Sequence, residues 1–372
     1  MKLKDYIDPL NQSEFLAEEG TFYEAVSVAG SHDIRKKDLE AFDIVILGAP
    51  FNSENVYSYE QLRNIRHELS GLAFPFRDLS VADLGNLKRG RTFADSMTAL
   101  KDVLNYLQTS GLFVILLGGP QQATLSCIDS LSAKNPIKMV EVDARFHLHA
   151  FWEFLPASLT DKFHYANVGN QNYYIPPSGK SWLESNHFEG YRLGEVRKRI
   201  QSIEPIVRDA DYVRMSLNAM KFSEANGQTV SSPNGFYSEE FCQVARYVGA
   251  ADFLKVASIA DFKMDEASSL QTGQLIAQLI WFLIEGFNMR IPEYPSSSRD
   301  IKKFNVNPGK TYSPIIFYKS EKTGRWWMEV PVEQGQKETF ILPSCYEDYQ
   351  KACEQKIPER WLNALQKFNF SS

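Results

Sequence analysis

"LFVILLGGPQQATL", Leu112 to Leu125, decides the fold. Six apolar residues run without alternation into two glycines, the pattern of a strand buried on both faces of a parallel sheet and ending in a turn. Ligand sites of such sheets lie at the carboxyl ends of the strands, where an enzyme would place charged or metal-binding side chains. Here the turn continues into Pro120, Gln121 and Gln122, all of them neutral.

The pattern recurs on both sides of that stretch. "FDIVILGAP" gives a strand at Asp43 to Leu47, and "IKMVEVDAR", "HYANVGNQ", "DYVRMSLNAM" and "FLKVASIADF" give four more, each ending at Gly or polar residues. Helical periodicity fills Glu60 to Leu72, Ser96 to Gly111, Tyr237 to Ala250 and Ser269 to Phe287. Alternating strands and helices predict an α/β fold, a three-layer α/β/α, doubly wound and mainly parallel sheet. We place a helical lead-in at residues 1–41, the α/β domain at 42–290 and a C-terminal extension at 291–372. The extension opens with the Pro/Ser-rich linker Met289 to Asp300. It continues with three strand-like runs, "SPIIFYKS", "RWWMEVPV" and "ETFILP", the first two joined by a hairpin at Glu321 to Gly324. Ser344 with Glu347 predicts a capping box, and Pro358 opens a last helix to Phe368. The extension is thus a small β-meander plus helix.

Composition removes several classes of function. A formal net charge of -6 argues against nucleic acid as a partner, because phosphate binding needs clustered cations. The one dense basic run, Arg192 to Ile200, has the spacing of a solvated helix face. Cys127, Cys242, Cys345 and Cys353 lack zinc-site or disulfide spacing and are expected as buried thiols. The longest greasy segment, Leu275 to Phe287, is too short to span a bilayer, so no membrane contact and a cytoplasmic location are expected.

Taken in order, the strand-end turns "ILGAPFN", "NIRHEL", "ADLGNL", "LLGGPQQ", "VEVDARFH" and "VRMSLNAM", followed by "PNGFYSEEF", resemble the ureohydrolases: arginase, agmatinase and formimidoylglutamase. The likeness covers about Phe42 to Phe287. It implies the arginase/deacetylase-like fold, a trimer or hexamer, and two manganese ions bridged by hydroxide, held by two histidines and four aspartates. Matched residue by residue, those six positions carry Gln121, Asp143, Arg145, His147, Asn218 and Met220 here, while Ser216 is kept. One ligand of six survives. The resemblance therefore implies a degenerate metal site with no cofactor, in which a guanidinium, Arg145, stands beside Asp143 in place of the missing cation.

Each of these residues also has an ordinary reading. Asp143 and Arg145 form a structural ion pair. Gln121 and Gln122 cap the next helix or bond across the pocket, and Met220 fills space. His147 and His149, with Asp143, are the set from which a single-metal site could be rebuilt. Three functions follow: a non-catalytic binding or assembly protein; a hydrolase of a guanidino, amidino or amide C–N bond at an altered site; or a sensor that holds a small polar ligand with Arg145, Asn218, Gln121 and Gln122. On the extension, Trp326 and Trp327 point to opposite faces of a strand, so one can pack inward and the other meet a protein partner.

Overall fold

The computed structural model describes residues 1–28, 35–52, 58–132, 136–155, 159, 163–265, 268–295, 300–309, 312–334 and 336–370. Residues 296–299 of the expected linker lie outside that set.

The predicted strands appear as β3 (Ile44–Ala49), β5 (Phe113–Gly118), β6 (Ile137–Val142), β7 (Phe163–Asn170), β9 (Tyr212–Ser216) and β10 (Val256–Ala260). They are joined by β1 (Ile7–Asp8), β2 (Ser27–Val28), β4 (Val81–Leu87) and β8 (Glu189–Arg192) into one ten-stranded sheet ordered β1-β4-β3-β5-β10-β9-β6-β7-β8, with β2 also on β4. Within this sheet β1 pairs antiparallel with β4, and every other pairing is parallel. The lead-in is thus not only helical: beside its short helical turns it adds two short strands to the sheet edge.

Unbroken burial of β3, β4 and β9 on both faces requires cover on both sides. Helices Tyr59–Ser70, Ser238–Gly249 and Ser269–Asn288 cover one face through Leu62, Ile65, Val244, Val248, Ile280 and Leu283. Helices Phe93–Gln108 and Ala123–Ser130 cover the other through Leu100, Leu104, Leu107, Cys127 and Ile128. Each such side chain contributes about 1.5–3 kcal/mol on full burial. Two helices on the first face meet backbone to backbone: a Cβ on Gly249 would lie 2.1 Å from the Leu283 carbonyl oxygen, so only glycine permits the crossing.

The chain goes from β3 to β4 on one side and then to β5 on the other. This reversal opens a crevice at the carboxyl ends of β3 and β5. Gly118 and Gly119 turn the chain there with φ of 82° and 88°, the left-handed region that favours glycine.

The extension is a separate four-stranded antiparallel sheet, β11 (Ile301–Val306), β12 (Ile315–Ser320), β13 (Trp326–Gln334) and β14 (Gln336–Ser344), followed by helices Tyr346–Cys353 and Glu359–Phe370. The hairpin at Glu321–Gly324 forms as expected, closed by Ser320 N–H to Arg325 O and Gly324 N–H to Ser320 O. One strand exceeds the sequence reading. β11 escapes it because its exposed Lys302, Lys303 and Asn305 break the apolar pattern. The capping box sits one residue later than expected, on Cys345 and Asp348, because Ser344 still belongs to β14. Cys353 is exposed and Cys345 half-buried, unlike the buried Cys127 and Cys242. Trp326 stacks on Phe304 and Tyr349, while Trp327 lies under the Arg208 guanidinium at 5.0 Å. Both rings are buried inside the chain.

Candidate functional site

Strand register creates the site. Glu141 on β6 pairs with Arg214 on β9, and Arg214 with Ser258 on β10. Alternation of side chains then puts Glu141 and Asp143, Arg214 and Ser216, on one face of the sheet. Asp261, one residue beyond β10, closes the group from the third strand.

At its centre the Arg214 guanidinium, 1% exposed, reaches three carboxylates. Nη2 donates to Asp261 Oδ2 at 2.5 Å, Nη1 donates to Asp143 Oδ2 at 3.3 Å, and Glu141 Oε1 lies 3.6 Å away. Ser216 Oγ donates to the same Asp261 oxygen at 2.6 Å. Glu141 accepts from Tyr165 Oη at 2.5 Å and from the His147 backbone N–H at 3.0 Å. His147 Nε2 stands 3.0 Å from Asp143 Oδ2, an ion-pair contact whose N–H is not aligned as a hydrogen bond. Glu141 Oε1 likewise has no hydrogen-bond partner among the described residues.

Burial and charge pull these groups in opposite directions. Burial disfavours ionised Asp143, but His147 and Arg214 outweigh it and hold the carboxyl down to about 2. Burial also disfavours charged His147, yet Asp143 and Glu141 raise it to about 9, so the imidazole is protonated at neutral pH. At Glu141 burial wins and the carboxyl is raised. Two cations thus face three acidic groups in a largely buried cluster.

The site differs from the sequence expectation in its partners. Arg145 gives Asp143 only its backbone N–H, at 3.0 Å, while its guanidinium stacks 4.1 Å from the Tyr174 ring; the cation beside Asp143 is Arg214. His149 turns to the Trp182 ring, 5.4 Å away, and does not join Asp143 and His147. Among the described residues the set able to hold a metal is Asp143, His147 and Asp261, whose ligand atoms lie within 4.8 Å of one another. Gln122 makes no side-chain cap on the helix Ala123–Ser130. Asn218 uses its amide on Thr229 and the Val230 N–H, and Met220 is fully buried filler.

Arg214, Glu141 and Asp261 were missed by the sequence reading. The signal existed for two of them: a charged residue in the middle of a strand buried on both faces, in "YVRMS" and "VEV", must find an opposite charge.

Beside this group the crevice forms a cleft of about 470 Å³, lined by Asn52, Gln61, Gln121, Gln122, Asp261 and Lys263 together with Phe51 and Phe262. Asp261 belongs to both, 8% exposed and held at φ 62°. A non-glycine residue in that left-handed conformation is strained, and strain of this kind clusters at functional sites.

Comparison with known proteins agrees with the architecture. The formiminoglutamase of Trypanosoma cruzi, solved with manganese, superposes with a TM-score of 0.61 at 14% identity, covering 70% of this chain and 100% of that one. Formimidoylglutamase from Bacillus subtilis gives 0.58 at 13% identity over 67% and 88%. Arginase from Bacillus cereus gives 0.52 at 13% identity over 65% and 98%. None of the curated proteins compared matches the chain significantly. A family model described as "Arginase family" matches residues 42–284, more than half of the sequence, and on that match the chain belongs to the arginase family.

Proposed function

We propose that this arginase-family chain works without the binuclear manganese centre and binds a small polar molecule in the cleft above β3, β5 and β10, as a binding or sensing protein rather than a ureohydrolase. The observation that carries this reading is the Arg214 guanidinium. It donates to Asp143 and Asp261, two members of the set a metal would need, through the same Oδ2 atoms. Two manganese ions require several anionic oxygens each, and three candidate ligands, two of them already engaged by an arginine, do not fit them. The open cleft with its amides and Lys263 supports a ligand-binding role, whereas Met220 does not fill it. Self-association, implied by the resemblance, belongs to the same proposal, as does residence in the cytoplasm.

A second reading has its own observation. Asp143, His147 and Asp261 lie close enough for one metal ion if Arg214 moves aside, which would make the chain a single-metal hydrolase of an amidine, guanidine or amide. Metal analysis after loading with manganese or zinc, run beside assays for urea or ammonia release, separates the two. The first reading expects neither metal nor turnover; retained metal with turnover, lost in His147→Ala, establishes the second.

A further inference from the structure

A second cavity lies far along the chain from the cleft, in the seam between the α/β domain and the C-terminal extension. It is a groove of about 640 Å³, within the size range of small-molecule sites. On a chain of net charge -6 its lining is basic: Arg199, Arg208, Arg246, Lys322 and Arg325 against Glu204 and Glu347.

These cations divide into two sets. Arg208 and Arg325 are engaged and build the seam. Arg208 clamps Glu204 at 2.9 and 2.6 Å and donates to Trp326 O at 2.7 Å, and Arg325 pairs with Asp252 at 3.0 Å. The other three are under-used. Arg246 directs Nε and Nη2 at the Met289 thioether, 3.3 and 3.1 Å away, a weak acceptor; Glu285 stands 3.1 Å from Nε without hydrogen-bond alignment. The Lys322 ammonium, on the exposed hairpin turn, has no carboxylate partner among the described residues. Arg199 meets Glu347 at the rim, where a half-exposed pair is worth little.

The groove wall also carries an unmatched polar group. Ser344 lines the groove at 1% exposure, and its buried hydroxyl has no hydrogen-bond partner among the described residues. A buried hydroxyl left unmatched is unfavourable, so a polar group that reaches it is favoured. Tyr346, 49% exposed, and Tyr247 add aromatic surface to the same groove.

We propose that this groove binds a small organic phosphate with a planar ring, of mononucleotide size: the phosphate between Arg246, Lys322 and Arg199, the ring against Tyr346. A phosphate suits three separated donors better than a carboxylate, because it offers three acceptor oxygens and close to two charges. The site is separate from the strand-end cleft and stands whether or not that cleft binds anything.

Calorimetric titration of the full-length protein with adenosine monophosphate, inorganic phosphate and adenosine tests it. Saturable binding of the nucleotide is expected, weaker binding of phosphate, and loss of affinity as salt rises. The exposed pair Arg246→Glu and Lys322→Glu should weaken the nucleotide by about tenfold or more. Tyr346→Ala should weaken the nucleotide but leave inorganic phosphate unchanged, and unaltered melting of each variant shows that the fold survives. No nucleotide binding at millimolar concentration, or binding indifferent to the charge reversals, overturns the proposal. Equal binding of phosphate and nucleotide, untouched by Tyr346→Ala, overturns the assignment of a ring-bearing ligand.

Discussion

Two buried arginines organise this molecule, and they are finished to different degrees. Arg66, fully buried on the helix Tyr59–Ser70, forms a two-pronged pair with Asp83 at 2.8 and 3.0 Å and donates to Asn86 Oδ1 at 2.8 Å and to Gly85 O at 3.0 Å. Asp83 accepts in addition from Tyr23 Oη at 2.7 Å and Gly85 N–H at 3.0 Å. One positive charge meets one negative charge, with planar geometry on both sides. Arg214 instead stands among three acidic groups at 2.5, 3.3 and 3.6 Å, beside a protonated histidine, with Glu141 Oε1 and His147 Nε2 lacking hydrogen-bond partners among the described residues. Its outermost partner, Asp261, is strained and borders a cleft. The first cluster is closed and charge-matched; the second is the one that the proposed function treats as a site where a side chain stands in for a metal.

The comparison breaks most easily on stability. Arg66→Met removes the sole cation in contact with Asp83 among the described residues, and loss of one member of a buried pair costs about 3–5 kcal/mol. Arg214→Met should cost less, about 1–3 kcal/mol, because Asp143 keeps His147 and Asp261 keeps Ser216. Urea denaturation of the two variants side by side checks this, and equal losses would erase the distinction.

Titration sharpens the contrast next. His147 is raised from 6.5 to about 9 on folding, so its contribution is fully present below pH 6.5 and disappears as the pH climbs through 9. A loss on the order of 3 kcal/mol is expected across that window, and His147→Gln should flatten the profile there. Unfolding free energies measured at pH 6 and pH 9.5 test it; an identical slope in the variant would assign the effect elsewhere. The smallest effect is expected at the turn. Gln121→Ala and Gln122→Ala should change the melting free energy by less than about 0.5 kcal/mol, since neither side chain carries the helix cap. A larger loss would mean that they hold the turn and are not available to a ligand.

Much of this was legible from local pattern. Continuous apolar runs located six strands of the large sheet, and the order of the turns located the family's ligand positions, because both are properties of short segments. β4 was recognised as a turn motif but not as a strand, since Asp83 and Asn86 interrupt its apolar run and become tolerable only once Arg66 arrives from the preceding helix. The site was half legible for a similar reason. Asp143 and His147 are four residues apart and could be paired on paper. Arg214 and Asp261 reach them only through the β10-β9-β6 order, which no local pattern specifies. The sequence argument gave Asp143 a guanidinium partner in Arg145, a near neighbour along the chain; the guanidinium beside it is Arg214, its neighbour across the sheet.

The most direct test is elemental analysis of the wild-type protein and of Arg214→Ala, each loaded with manganese and freed of excess by gel filtration. If Arg214 stands in for the metal, the wild type should retain less than about a tenth of an equivalent, and the variant, with Asp143 and Asp261 released beside His147, should approach one. A full equivalent in the wild type, or no gain in the variant, would contradict the replacement of a metal by Arg214.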